Sequence, residues 1–213
     1  MNTFNELLEK YEFFNHRHAR EIIENAYPDE WKDIVECLTE FHIEKQDLLE
    51  AGGSETNIPG KIEGFLSPRK WKNMLIKGDL LLRFYERRID QKQYEEFPSQ
   101  EHTVHDYLNG AHVDYLKNRV AICLEWNKKD LSFDRVLSSF RTFHENNIIS
   151  AGVIITRSAD LNSVFKELGI SKKYGTSSTW IGRLNPRIES GQAGECPILA
   201  IGIKSGCMEA DDE

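Results

Sequence analysis

No stretch of this chain approaches the roughly 20 consecutive apolar residues that cross a bilayer, which argues against a membrane role. Cysteine is scarce. Cys37, Cys123, Cys196 and Cys207 are widely spaced and form no CxxC pair, which excludes a zinc ribbon and a disulfide framework and predicts four free thiols. No glycine-rich phosphate loop follows any strand-like run and no GxSxG elbow occurs, so a P-loop nucleotide enzyme and a serine hydrolase have no support. Internal repeats and low-complexity segments are also missing. The opening MNTFNELLEKYEFFNHRH lacks the basic start and apolar centre of a secretory signal, so the expected location is the cytoplasm. Positive charge is short overall, with a formal net charge of -8, a balance that by itself argues against a nucleic-acid partner.

The sum hides a gradient. From Asn127 to Ser190 there are ten Lys and Arg against six Asp and Glu, a local excess of +4, so a basic surface is available there. The remaining acid excess includes the terminal MEADDE at 208–213, within an acidic tail expected at 205–213 that reads as solvated. With 213 residues, 39% hydrophobic and 29% charged, the chain suits a globular protein with one sizeable core, and the expectation is a single domain over 1–213.

The pattern along the chain changes halfway. The first part, 1–76, reads as helical. In AYPDEWKDIVECLTEFHIEKQDLLEAGG, Pro28 suits a first turn, Trp31, Ile34, Val35, Leu38 and Phe41 recur at helical spacing, and Gly52-Gly53 supplies a stop. SETNIPG reads as a loop, and Pro68 in KIEGFLSPRKWKNML as the start of a short helix carrying Trp71 and Leu75. LLLRFYERRI suits a strand, whereas QKQYEEFPSQEHTVHDYLNGAH is polar and reads as a loop. RVAICLEW, ISAGVIITR and CPILAIGIK then read as strands and LSFDRVLSSFRTFHENN, DLNSVFKELG and IGRLNPRIES as helices. Strands alternating with helices predict an α/β fold, a central mixed β-sheet flanked by helices, over a core of about 77–204 with an N-terminal helical part.

One run carries an anomaly. In DYLKNRVAICLEWNKKD a charged Glu125 sits in an apolar strand, on the same face as Cys123 because side chains alternate. Asp114 lies nine residues before Cys123, and the short YLKNR can turn the chain back beside the strand. Two converging carboxylates with Lys128 and Lys129 beyond them suit a hard divalent cation such as Mg²⁺. The bland alternative is that Glu125 caps a strand at solvent and Asp114 is a turn residue.

The run DYLKNRVAICLEWNKKDLSFDRVLSSFRTF, with GVIITR, KYGTSSTW and CPILAIGI, resembles the restriction endonucleases of the BglII and BstYI group within the PD-(D/E)XK nuclease superfamily, over about AYPDEW to Lys204. The resemblance implies a restriction-endonuclease-like fold and a homodimeric, Mg²⁺-dependent enzyme that cuts double-stranded DNA at a short palindrome. It aligns Asp114 with the first metal ligand, Cys123 with the second and Glu125 with the third catalytic position. Cys123 departs from that pattern, because a neutral thiol is a soft, poor ligand for Mg²⁺. Three readings follow: a weakened or cleavage-impaired DNA-binding relative; a site in which Glu125 takes over as ligand beside Asp114, with Lys128 or Lys129 as the cationic partner; or compensation by another acid such as Glu63. The expected metal ligands are Asp114 and Glu125.

Candidate DNA contacts lie further on. In KYGTSSTWIGRLNPR, the hydroxyls of Ser177, Ser178 and Thr179 and the guanidiniums of Arg183 and Arg187 suit base edges or phosphates. Arg157, Lys172 and Lys173 suit phosphates, in contacts that salt would weaken. A surface turn with a capped helix behind it is the plainer account of the Ser and Thr run. Kinship with enzymes that cut around a central GATC makes such a core worth testing. His102, His105 and His112 are expected to be solvated, and Phe133, Phe140 and Phe143 to be core.

Overall fold

The structure is a computed structural model describing residues 3–49, 57–87, 89–90, 92–175 and 177–209. In chain order it contains α1 (Thr3–Lys10), β1 (Tyr11–His16), α2 (Ala19–Ala26), α3 (Pro28–Glu40), α4 (Lys45–Leu49), α5 (Asn57–Leu66), β2 (Lys72–Phe84), β3 (Gln100–Lys117) and β4 (Val120–Leu124). α6 (Ser132–Glu145), β5 (Ala151–Arg157), α7 (Asn162–Glu167), α8 (Ile181–Glu189) and β6 (Ile198–Ile203) follow. The strand order β1-β6-β5-β4-β3-β2 makes a six-stranded mixed sheet, so the expected α/β architecture is present. Two compact units divide the chain: Met1–Asn73 with Asp114–Glu213, and Met74–Val113.

In the first unit β4, β5 and β6 run parallel, β1 lies antiparallel on β6, and the end of β3 lies antiparallel on β4, with Tyr115 opposite Ile122. The parallel strands are buried along their whole length, which explains their continuous apolar runs. Their two faces differ in size. Val120, Ile122, Leu124, Val153, Ile155, Leu199 and Ile201 join one core with residues of α1 to α5, including Leu7, Ile23, Ile34 and Ile62. The opposite face carries smaller residues, among them Ala121 and Gly152, which are register partners, and Gly202. These let the helices approach closely. A methyl group on Gly152 would lie 2.2 Å from the Phe140 ring of α6, and one on Gly202 would lie 3.1 Å from Ile181 of α8. Gly152→Ala is therefore expected to destabilise the protein by about 1–3 kcal/mol. Urea unfolding checks this, as a lower midpoint at unchanged slope.

Four details correct the sequence expectations. Tyr11–His16 is a strand, not part of an all-helical N-terminal region, because it completes the edge beside β6. The long helix expected from Pro28 ends at Glu40, and the chain restarts as α4; the Gly52-Gly53 stop lies outside the described residues, as does the end of the acidic tail. Pro68 belongs to a single turn after α5, leaving Leu75 in β2, and Asn57–Gly60, expected in a loop, open α5. The polar stretch expected as a loop contains most of β3.

The second unit explains that last miss. Its portions of β2 and β3 form a largely solvated ribbon in which alternate residues such as Ile76 and Leu80 are only half-buried and most of β3 is exposed, so the polar sequence of β3 carries no apolar alternation. Cross-strand polar contacts are dense: Asp79 accepts from the Asp106 N–H at 2.8 Å and contacts His105 Nδ1 at 3.2 Å, and Arg83 meets Glu101 at 2.8 Å. Asp106 and Gly110 both have positive φ, the mark of local bulging in an antiparallel pair.

Candidate active site

The site grows out of the point where the β3–β4 ladder ends. Tyr115, Leu116 and Lys117 pair with Ile122, Ala121 and Val120, and just before them the Asp114 carboxylate takes over as acceptor, receiving the Leu124 N–H at 2.8 Å. Asp114 is thereby held against β4 by its own side chain. One residue beyond β4, the Glu125 backbone stays tied to β5: its N–H donates to Ile155 O at 2.8 Å, and the Thr156 hydroxyl donates to Glu125 O at 2.8 Å.

Glu125 is only 1% exposed. Its Oε1 lies 3.2 Å from Lys128 Nζ, and its Oε2 accepts from the Ser132 hydroxyl at the start of α6. A buried carboxylate needs such partners, and here both oxygens have one. Ser132 was not legible as a site residue: a serine opening a helix reads as a cap, and nothing in the spacing ties it to a glutamate seven positions earlier.

Cys123 is 3% exposed, and burial pushes its thiol well above the ordinary range, with the Asp114 and Glu125 carboxylates adding to the rise. A proton-bearing sulfur therefore sits where the resemblance expects a second acid. Of the described residues, the His, Cys, Asp or Glu donors that gather within 4.8 Å as a group of three are those of His42, Glu44 and Glu209, and Asp114, Cys123 and Glu125 do not form such a group.

A cleft of about 240 Å³ opens beside Asp114, lined also by Pro59, Glu63, Ser67, Asn73, Tyr115, Leu124, Trp126 and Lys128. Glu63, from α5, faces into the same space as Asp114. Both carboxylates raise the Tyr115 phenol above its usual value, after burial, which is the larger cause. Glu125 does not line the cleft but contacts Lys128, which does. The structure thus brings together Asp114, Glu63 and Lys128, with Glu125 supporting the lysine. Lys129 is exposed and absent from the lining.

The expected DNA-contacting residues separate into groups. Lys172, Ser177 and Arg183 are exposed. Lys173 donates from Nζ to Leu48 O at 2.9 Å, and Arg187 is engaged with Asp134 at 2.8 Å and Asp130 at 3.5 Å. Ser178 is half-buried and bonded to Gly175 O at 2.7 Å. Two expectations need correction. Arg157 is buried, and its guanidinium reaches Asn162, the carbonyls of Tyr174 and Gly175 and the Ser178 hydroxyl, at 3.0 to 3.3 Å; it clamps a loop instead of meeting phosphate. Burial pulls its pKa down to about 10, which leaves it charged at neutral pH. Thr179 is fully buried and bonds to Lys128, so it offers nothing to a base edge.

These donors fit a hard cation in kind: the carboxylates of Asp114, Glu63 and Glu125 are oxygen ligands of the sort Mg²⁺ takes, while the thiol is not. Among the described residues no helix is long and apolar enough to cross a membrane. No curated protein matches the chain. The family model for restriction endonuclease BglII/BglIII matches residues 11–203, a span that includes β1 through β6 and every residue of the cleft. With a mixed sheet that delivers Asp114 and Glu125 to its end, that match identifies the chain as a member of the BglII/BglIII family of restriction endonucleases.

Proposed function

We propose that this restriction endonuclease hydrolyses phosphodiester bonds of double-stranded DNA at a short palindromic site, with Mg²⁺ held in the cleft by Asp114 and Glu63, while Glu125, expected as the second ligand, holds Lys128 beside them. The observation that carries this reading is the cleft itself, where Asp114, Glu63 and Lys128 converge from three elements next to a buried Glu125. Mg²⁺ bound there would supply charge stabilisation and a more acidic water, which is the usual contribution of a divalent ion to phosphodiester hydrolysis. The chain's own groups do the rest. Asp114, pinned by the Leu124 N–H, presents its carboxylate at a fixed position. Lys128 places a cation where negative charge develops on the scissile phosphate, and its contact with Glu125 holds it there. The exposed Lys172, Ser177 and Arg183, in the stretch with a local positive excess, supply contacts to the duplex. A two-fold target calls for a homodimer, since operator symmetry mirrors protein symmetry.

One observation favours a second reading, a DNA-binding relative that cuts poorly: the buried, protonated Cys123 at the position of an acid. Incubating a fully sequenced phage genome with protein and Mg²⁺ separates the two. Discrete fragments with mapped 5′-phosphate ends, lost in EDTA, support the endonuclease; a gel shift without fragments supports the impaired relative.

A further inference from the structure

The loop after β4 and the Ser-rich segment before α8 are stitched together by backbone pairing. Lys129 and Ser178 form an antiparallel bridge, the Thr179 N–H donates to Lys128 O at 2.9 Å, and the Asp130 N–H donates to Ser177 O at 3.1 Å. One side chain joins this ladder: Thr179 Oγ1 accepts the Lys128 N–H at 3.2 Å. Lys128 is thus gripped through both of its backbone polar groups by one fully buried threonine, while its ammonium contacts Glu125 and lines the cleft. Arg157 fixes the far end of the same segment through Tyr174 O, Gly175 O and the Ser178 hydroxyl.

We propose that Thr179 is a positioning residue for cleavage, through which the Ser177–Ser178 segment sets the placement of Lys128 against Glu125. The inference rests on the endonuclease reading above and assigns Thr179 a task other than touching DNA. Its physical basis is short and continuous. Exposed Ser177 and buried Thr179 are two residues apart; Ser177 O and Thr179 are bonded to the cleft loop, and the Ser178 hydroxyl to Arg157. A duplex that shifts Ser177 shifts Lys128 with it, so contact with DNA and alignment of the cleft are one event.

Thr179→Val keeps the shape and removes the acceptor; Thr179→Ser keeps the acceptor. With phage DNA as substrate, Thr179→Val is expected to lower kcat at least tenfold with KM and gel-shift affinity changed less than twofold, and Thr179→Ser to stay within about threefold of wild type. A purely structural threonine would not give that split with rescue. Loss of DNA affinity at unchanged kcat, equal losses in both variants, or no loss in Thr179→Val would overturn the proposal. Backbone amide exchange supplies a reading independent of cleavage: Thr179→Val should speed exchange at Lys128 and Asp130 at least tenfold and leave the amides of α6 unchanged. Should the wild type cut no DNA, the endonuclease reading fails by itself, and exchange alone decides the coupling. Unchanged exchange at Lys128 and Asp130 sinks it.

Discussion

Asp114→Asn is expected to reduce DNA cleavage by about a thousandfold or more while the protein stays folded. The carboxylate has two tasks that this substitution separates. Its Oδ2 accepts the Leu124 N–H at 2.8 Å, closing the ladder where backbone pairing stops, and an asparagine oxygen can do the same. What asparagine cannot supply is negative charge for a divalent cation, a contribution of several kcal/mol to the transition state, and about 4 kcal/mol is roughly a thousandfold in rate. Asp114→Ala loses both tasks and should in addition lower stability by ~1–2 kcal/mol, because a backbone N–H is left without its acceptor. Single-turnover cleavage of mapped DNA alongside thermal unfolding reads both effects. If Asp114→Asn cuts at the wild-type rate, the acid is only a strand cap and the site lies elsewhere.

An effect of the opposite sign, a gain, is expected at Cys123. Cys123→Glu places a third carboxylate beside Asp114 and Glu125, whose charges already act on that position. Without metal this should cost stability, since a buried carboxylate among like charges is unfavourable, and the added atoms must fit at a position only 3% exposed. With Mg²⁺ the sign reverses: a ligand that binds the folded state at ~100 times its Kd adds about 2.7 kcal/mol. The expected result is a lower melting temperature than wild type in EDTA, a larger Mg²⁺-induced rise, and cleavage faster by about tenfold or more. Cys123→Gln has the same size and no charge, so it should show the loss in EDTA without the gain in Mg²⁺. Equal behaviour of the Glu and Gln variants would mean that volume, not ligation, governs the position.

Where the sequence was readable, a single period explains why. α6 repeats Phe133, Val136, Leu137, Phe140 and Phe143 along one face, all of them buried, and β4, β5 and β6 are runs of β-branched and small residues that only a doubly covered strand tolerates. β1 escaped because YEFFNH mixes polar and aromatic residues on a partly exposed edge strand whose burial does not alternate, and β3 because much of it is exposed. The Asp114, Cys123 and Glu125 spacing was legible, as was the departure from a carboxylate at Cys123. Glu63 was visible only as a nearby acid, and its place in the cleft comes from the packing of α5.

Burial redistributed the polar residues. Arg157 and Thr179 look like their exposed neighbours in a list of cations and hydroxyls, yet one clamps loop carbonyls and the other holds Lys128. Ser132 gained a role because the start of α6 comes down on Glu125. The sequence by itself determined the element types of the second half and the kinship with restriction endonucleases, because these depend on local periodicity and on the order of residues along the chain. Only the tertiary structure decided which acids share a cleft, which cations face solvent and which residue carries Lys128. Those outcomes depend on contacts between segments 50 or more positions apart, as with Lys128 and Thr179, and no local pattern records such contacts.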